Sequence, residues 1–176
     1  DEHTSRGLGD VYKRQALLSR EINDLHGKTL GIIGKGSIGM KVGRIAKAFG
    51  MNINYFSVRN YKKTQFLKFL SSLDYLSVHC PLNEKTKDLI TIKELKIMKK
   101  NMILINTARG GIVNENDLAK ALKQKIIAGA GIDVTTSEPP KKSHAYYSIL
   151  NEANFIWTPH TAVSYTHLRA HETCVH

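Results

Sequence analysis

The chain has 176 residues, 41% of them hydrophobic, enough for one domain with a sizeable core. Its net charge is +11, from 26 Lys and Arg against 15 Asp and Glu. The bases are mostly Lys scattered over helix faces, such as Lys93, Lys96, Lys99 and Lys100, with no aromatic and Arg platform for stacking bases, so nucleic acid is not an expected partner. No apolar run approaches the ~20 residues of a membrane span. Of the two cysteines, Cys174 lies in the tail and Cys80 has no metal-ligand spacing around it. A reducing, cytoplasmic setting without a metal site is the expectation.

The ends stand apart from the rest. Residues 5–15 (SRGLGDVYKRQ) resemble a translated transposase-type library adapter. The last six can be encoded GAT GTG TAT AAG AGA CAG; the reverse complement, read two bases out of frame, yields residues 163–168, and the codons for SRGLG continue it through 169–173. Two ends of one natural chain have no reason to be reverse complements. Residues 1–15 and 163–176 are therefore set aside, in preference to a genuine basic tail, and the native segment is expected to span 16–162, cut at both ends.

Within that segment, 16–23 reads as a helix whose start the adapter replaces. Residues 29–33 (TLGII) read as a buried strand. Residues 38–49 read as a helix with Ile38, Val42, Ile45, Ala46 and Phe49 on one face and Gly50 as its C-terminal cap. A second strand spans 53–56, a short amphipathic helix 66–73, and a strand 75–79 that ends at Pro81. A helix with a Lys-rich outer face follows at 92–98, then a strand at 102–105 and a helix at 116–123 with Asn114 as N-cap. Residues 126–134 contain a strand, and 155–157 form another. Short apolar runs alternating with helical stretches predict a parallel α/β sheet.

The turn GKGSIG (34–39) lies between the first strand and the first helix. Gly34 permits the tight turn, Gly36 lets backbone approach a pyrophosphate, and Gly39 lets the helix pack closely on the strand. The helix start offers N–H groups and a positive dipole end to phosphates. A plain glycine-rich loop is the bland alternative, but the strand-turn-helix context favours dinucleotide binding and a Rossmann-type doubly wound sheet. NAD sites usually carry Asp or Glu about 20 residues further on, to bind the ribose 2′-OH. Here the strand ends Tyr55-Phe56-Ser57-Val58-Arg59-Asn60, without an acid. Ser57 and Arg59 suit a 2′-phosphate; alternatively Arg59 stacks on adenine or points to solvent. NAD and NADP both stand as expected cofactors.

Three downstream motifs are NTARGG (106–111), GIDVTTSEPP (131–140) and TPH (158–160). With the glycine turn, and over 25–162, they resemble the nucleotide-binding domain of the D-isomer-specific 2-hydroxyacid dehydrogenases. INTARGGIVNENDLAKAL and AGAGIDVTTSEPP are most similar to the glycerate dehydrogenase (hydroxypyruvate reductase) members. The resemblance implies three catalytic residues: Arg109 from N-x-x-R-G, His160 as proton donor and acceptor, and Glu138 of the E-P motif as its carboxylate partner.

Physical chemistry agrees with those roles. A guanidinium can bridge the carboxylate and carbonyl of a 2-oxo acid and stabilise charge developing on the oxygen. An imidazole titrates where such proton transfer is needed, and an adjacent carboxylate orients it. A surface Arg ending a strand and a structural His after Pro159 are the bland alternatives; the motif order argues against both.

The resemblance further implies cofactor contacts from Gly34, Gly36, Ser37, Ile38, Gly39, Ser57, Arg59, His79, Cys80, Pro81, Thr107 and Ala108. Asp133 would hold the nicotinamide carboxamide, although a strand-end Asp can also cap a turn. His79 lines the cofactor in this reading and is not catalytic. A small 2-hydroxy or 2-oxo acid substrate and a homodimer are implied as well.

Two departures from the family stand out. The link from Arg59 to Tyr75 is too short for the usual helix, edge strand and helix, and most of the edge strand is missing. The family's substrate domain, mostly N-terminal, is also absent, so this chain is expected to bind cofactor with little or no turnover. Two rival functions fit the same motifs: a nucleotide-sensing corepressor-like protein on this scaffold, and a family dehydrogenase for phosphoglycerate, lactate or phosphite.

Overall fold

The computed structural model describes residues 24–161. The adapter-like ends and the expected helix over 16–23 lie outside the described residues. Six strands, β1 (Thr29–Ile33), β2 (Asn52–Phe56), β3 (Tyr75–Val78), β4 (Ile103–Asn106), β5 (Gly129–Ile132) and β6 (Phe155–Trp157), form one sheet in the order β2-β1-β3-β4-β5-β6. Every neighbouring pair is parallel. Four helices lie in the crossovers: α1 (Ser37–Ala48), α2 (Lys63–Ser71), α3 (Ile92–Leu95) and α4 (Glu115–Lys123). This is the doubly wound, Rossmann-type architecture that the alternation of apolar runs and the glycine turn predict.

β1 explains the layering. Its side chains alternate across the sheet. Leu30 and Ile32 pack with Ala46 and Met51 on the α1 side. Ile33 joins the larger core on the opposite face, with Phe66, Leu70, Val78 and Leu104. Because β1 pairs with β2 on one edge and β3 on the other, the winding reverses at its end, which opens a crevice between the loops after β1 and β3.

Of the α1 face that apolar periodicity predicts, only Val42 and Ala46 pack on the core. Gly39, Gly43 and Ala46 are its buried residues. Ile38, Ile45 and Phe49 stay 57%, 60% and 61% exposed. The small residues let the helix approach the sheet closely: a Cβ on Gly43 would stand 2.0 Å from the Tyr55 hydroxyl. Close contact along the small stripe thus prevails over burial of the large apolar stripe.

α3 ends at Leu95, short of the expected Met98. A capping box starts it: Thr91 N–H and Oγ1–H both donate to Glu94, at 3.0 and 2.6 Å. Glu94 is buried and pairs with Lys63 at the start of α2. Between β2 and β3 the described residues hold only a 3₁₀ turn (Val58–Asn60) and α2, so the edge strand is indeed missing there. A second 3₁₀ turn, Ala145–Ile149, has no counterpart in the predicted elements.

Candidate active site at the carboxyl ends of the strands

Parallel strands deliver their following loops to one edge of the sheet, and all the predicted site residues lie there. Gly34, with φ of +104°, leaves β1 and packs on the loop after β3, where a Cβ would stand 2.4 Å from the His79 carbonyl oxygen. Backbone bonds knit the strand ends: Gly34 N–H donates to Phe56 at 3.0 Å and His79 N–H to Ile33 at 2.7 Å.

The cradle for a dinucleotide is open. Gly36 is the N-cap of α1, with no side-chain cap and no acid in the first turn. A Cβ there would meet nothing within 4 Å. Free N–H groups at Ser37 and Ile38 beside open space suit an anionic pyrophosphate. On the opposite wall Ser77 Oγ lies 2.8 Å from His79 Nε2. Burial lowers the pKa of the His79 imidazole and pushes the buried Cys80 thiol up to about 11. Pro81 lies exposed at the lip of this wall.

At the end of β2, Ser57 Oγ accepts the Arg59 N–H at 3.4 Å and caps the short turn. Arg59 lines a groove of about 540 Å³ with Val58, Asn83, Glu84 and Lys85. Lys85 is a residue that the sequence reading missed. It belongs to a loop braced internally, in which Thr86 Oγ1–H donates to the Pro81 carbonyl at 2.7 Å and Asn83 Oδ1 accepts the Lys85 N–H at 2.9 Å. Only the adjacency of the β2 and β3 loops brings it opposite Arg59.

Arg109 is exposed on the loop after β4, and its guanidinium donates to the Ala108 carbonyl at 2.7 Å. Thr107 is exposed and Ala108 half-buried beside it. Buried Asn106, quoted only as part of a motif, shapes this loop: its Nδ2 donates to Arg109 O at 3.0 Å and its Oδ1 accepts Ala108 N–H at 3.1 Å. Such side-chain bonds to nearby backbone are a known habit of Asn, and the signal was available in the N-x-x-R spacing.

Glu138 and His160 come together as expected. His160 Nδ1 lies 2.6 Å from Glu138 Oε2, and Glu138 Oε1 accepts the Thr135 N–H at 3.1 Å. A carboxylate only accepts, so Nδ1 carries the donated proton and Nε2 is left for a reacting group. Burial alone would raise the pKa of the Glu138 carboxyl; the bonds from His160 and Thr135 outweigh it and hold it below the ordinary value. The pair opens on a cleft of about 530 Å³ whose other walls include Pro139, Tyr147, Leu150 and Trp157.

Asp133 is buried, and its Oδ1 accepts from Thr158 Oγ1, from Thr161 N at 2.9 Å and from Thr161 Oγ1 at 3.0 Å. It grips the chain on both sides of Pro159-His160, a support that the sequence expectation for Asp133 had not included. Among the described residues no cluster of His, Cys, Asp and Glu suits a metal, and no helix is long and apolar enough to cross a membrane.

Comparison with known proteins agrees with this fold. Residues 5–162 match the model of the D-isomer specific 2-hydroxyacid dehydrogenase, NAD binding domain. Glycerate dehydrogenase of Methylorubrum extorquens is 42% identical over 161 residues, covering 89% of this chain and 50% of that protein. The NAD-complexed D-isomer specific 2-hydroxyacid dehydrogenase of Lactobacillus delbrueckii superposes with a TM-score of 0.73 at 33% identity, over 82% of this chain and 49% of the other. The NADPH-dependent glyoxylate/hydroxypyruvate reductase of Sinorhizobium meliloti superposes with a TM-score of 0.75 at 25% identity, over 91% and 86%. The chain spans about half the length of the curated relatives it matches.

Proposed function

This chain belongs to the D-isomer specific 2-hydroxyacid dehydrogenase family as its NAD(P)-binding domain, and on that premise we propose that its complete enzyme interconverts a small D-2-hydroxy acid and the 2-oxo acid, with glycerate and hydroxypyruvate as the pair. The observation that carries the reading is the 2.6 Å contact between Glu138 and His160 at the carboxyl edge of the sheet.

The nicotinamide supplies the hydride in the reductive direction. The turn of Gly34, Gly36, Ser37, Ile38 and Gly39 and the N–H groups that open α1 would hold the cofactor phosphates. Ser57 and Arg59 would flank its adenosine end; His79, Cys80 and Pro81 would wall one side, and Thr107, Ala108 and Asp133 would line its nicotinamide end. Arg109 binds the substrate carboxylate and stabilises charge gathering on the carbonyl oxygen. His160 Nε2–H donates its proton to that oxygen, and in the oxidative direction the same nitrogen takes the hydroxyl proton. Glu138 holds the ring in the orientation that leaves Nε2 free to act.

The same reading assigns a homodimer, a cytoplasmic setting and a domain spanning 16–162 between adapter-derived ends. The test has two parts. Fluorescence titration of the 176-residue chain with NADH and NADPH should show saturable binding with little turnover of hydroxypyruvate. The complete enzyme should reduce hydroxypyruvate steadily. Failure to bind either cofactor, or a complete enzyme inert toward every 2-oxo acid, would overturn the reading.

A further inference from the structure

A second carboxylate–imidazole pair lies behind the first. Glu115 opens α4, six positions after Arg109 in the chain. Its carboxylate does not face solvent. Its Oε1 accepts Thr136 N–H at 2.7 Å, and its Oε2 accepts Thr136 Oγ1–H at 2.8 Å. His144 Nε2 lies 2.7 Å from the same Oε2, and the side chains of Glu115 and His144 are only 10% and 8% exposed. His144 Nδ1 accepts the Tyr146 N–H at 3.3 Å, so the ring proton resides on Nε2 and is donated to Glu115.

This pair touches each segment that carries a candidate catalytic residue. The loop of Arg109 runs directly into Glu115. Thr136 follows Thr135, whose N–H holds Glu138. The His144 ring stacks on Trp157 of β6, with centroids 5.8 Å apart and planes inclined by 23°. β6 leads within three residues to His160. A buried charge with its hydrogen bonds satisfied has few alternative positions, because each lost bond leaves a polar group unpaired.

We propose that Glu115 and His144 are positioning residues of the acid–base site: their hydrogen-bonded contact sets the loop over 133–138 so that Glu138 meets His160. The inference rests on the acid–base reading of Glu138 and His160. It extends the site to residues that touch neither substrate nor cofactor, in keeping with the known dependence of ligating and catalytic imidazoles on the groups behind them.

The test uses ring-¹⁵N-labelled histidine in the 176-residue chain. A strong Nδ1–H···carboxylate bond gives His160 a downfield Nδ1 proton resonance. Glu138→Gln should abolish it, which checks the acid–base pair by itself; persistence there would sink that pair, and this proposal with it. With that control satisfied, Glu115→Gln and His144→Gln should each lose most of the resonance while the far-UV spectrum is retained. An unchanged resonance accompanied by a lower Tm would overturn the proposal, since Glu115 would then serve the fold alone. Where Glu115→Gln fails to fold, Thr136→Val removes a single hydroxyl bond to Glu115. A weakened His160 signal in that variant supports the positioning role, and an unaltered one refutes it.

Discussion

Gly110 lies directly against the backbone of Thr135: a Cβ on Gly110 would stand 2.0 Å from the Thr135 carbonyl carbon and 2.3 Å from its oxygen. The loop that carries Arg109 and the loop that carries Glu138 therefore touch through main chain, with no side chain between them. Gly110→Ala must push them apart. Overpacking against backbone, which cannot rotate away, should cost at least about 2 kcal/mol. A urea midpoint unchanged from wild type would contradict that close approach.

Arg109 and His160 should separate by kinetic signature in the complete enzyme. His160→Gln removes the proton donor and should lower kcat by about 10²- to 10⁴-fold. Arg109→Lys keeps the charge but loses the planar fork, so KM for the 2-oxo acid should rise and kcat fall together. Neither variant should change NADH affinity by more than a small factor. Steady-state kinetics with a parallel cofactor titration makes the check, and equal loss of cofactor binding in both variants would point to misfolding instead.

Cofactor preference should follow the cations flanking the groove beside β2. Arg59→Asp should lower NADPH affinity about tenfold or more, as expected for loss of one charge-assisted bond to phosphate, and NADH affinity much less. Lys85→Glu should act in the same direction, because Lys85 lines the same groove. Equal changes for both cofactors would place the 2′ position elsewhere.

Stability should fall on the acid side. For Asp74, Glu94 and Glu138 burial pushes the carboxyl upward. Bonds from Lys99 and Thr29, from Lys63 and Thr91, and from His160 and Thr135 respectively prevail and hold each below its ordinary value. A carboxyl whose folded pKa is depressed stabilises the fold above its unfolded pKa, and the contribution is lost as pH falls through the folded value. Tm should therefore be flat from neutrality to about pH 5 and drop below about pH 4. Glu94→Gln should flatten part of that drop, and a Tm profile identical to wild type below pH 4 would remove Glu94 from the account.

Much of this site was legible along the chain because its demands are local. The glycine turn directly follows β1, where a short apolar run and a breaker are enough to be seen, and the resemblance marked the carboxylate in E-P and the histidine after Pro159. Asn106 carried a readable signal too, since its bonds close within three residues. The missing edge strand was visible as a shortened link.

Glu115 and His144 were not visible, because they are 29 residues apart and nothing in either neighbourhood announces the other. Lys85 became a groove residue only once β1 paired with β2 on one side and β3 on the other. The exposure of Ile38, Ile45 and Phe49 on α1 was missed for a related reason: hydrophobic periodicity reports which side chains favour burial, whereas close backbone packing rewards Gly39 and Gly43 beside Ala46. The sequence alone determined the order of strands and helices and the glycine turn, since each depends on backbone conformation within a few positions, while the three motif residues came from the resemblance. Only the tertiary structure decided which loops meet, which carboxylate is buried under which loop and which helix face is covered, because those follow from strand order and packing distances between segments far apart in the chain.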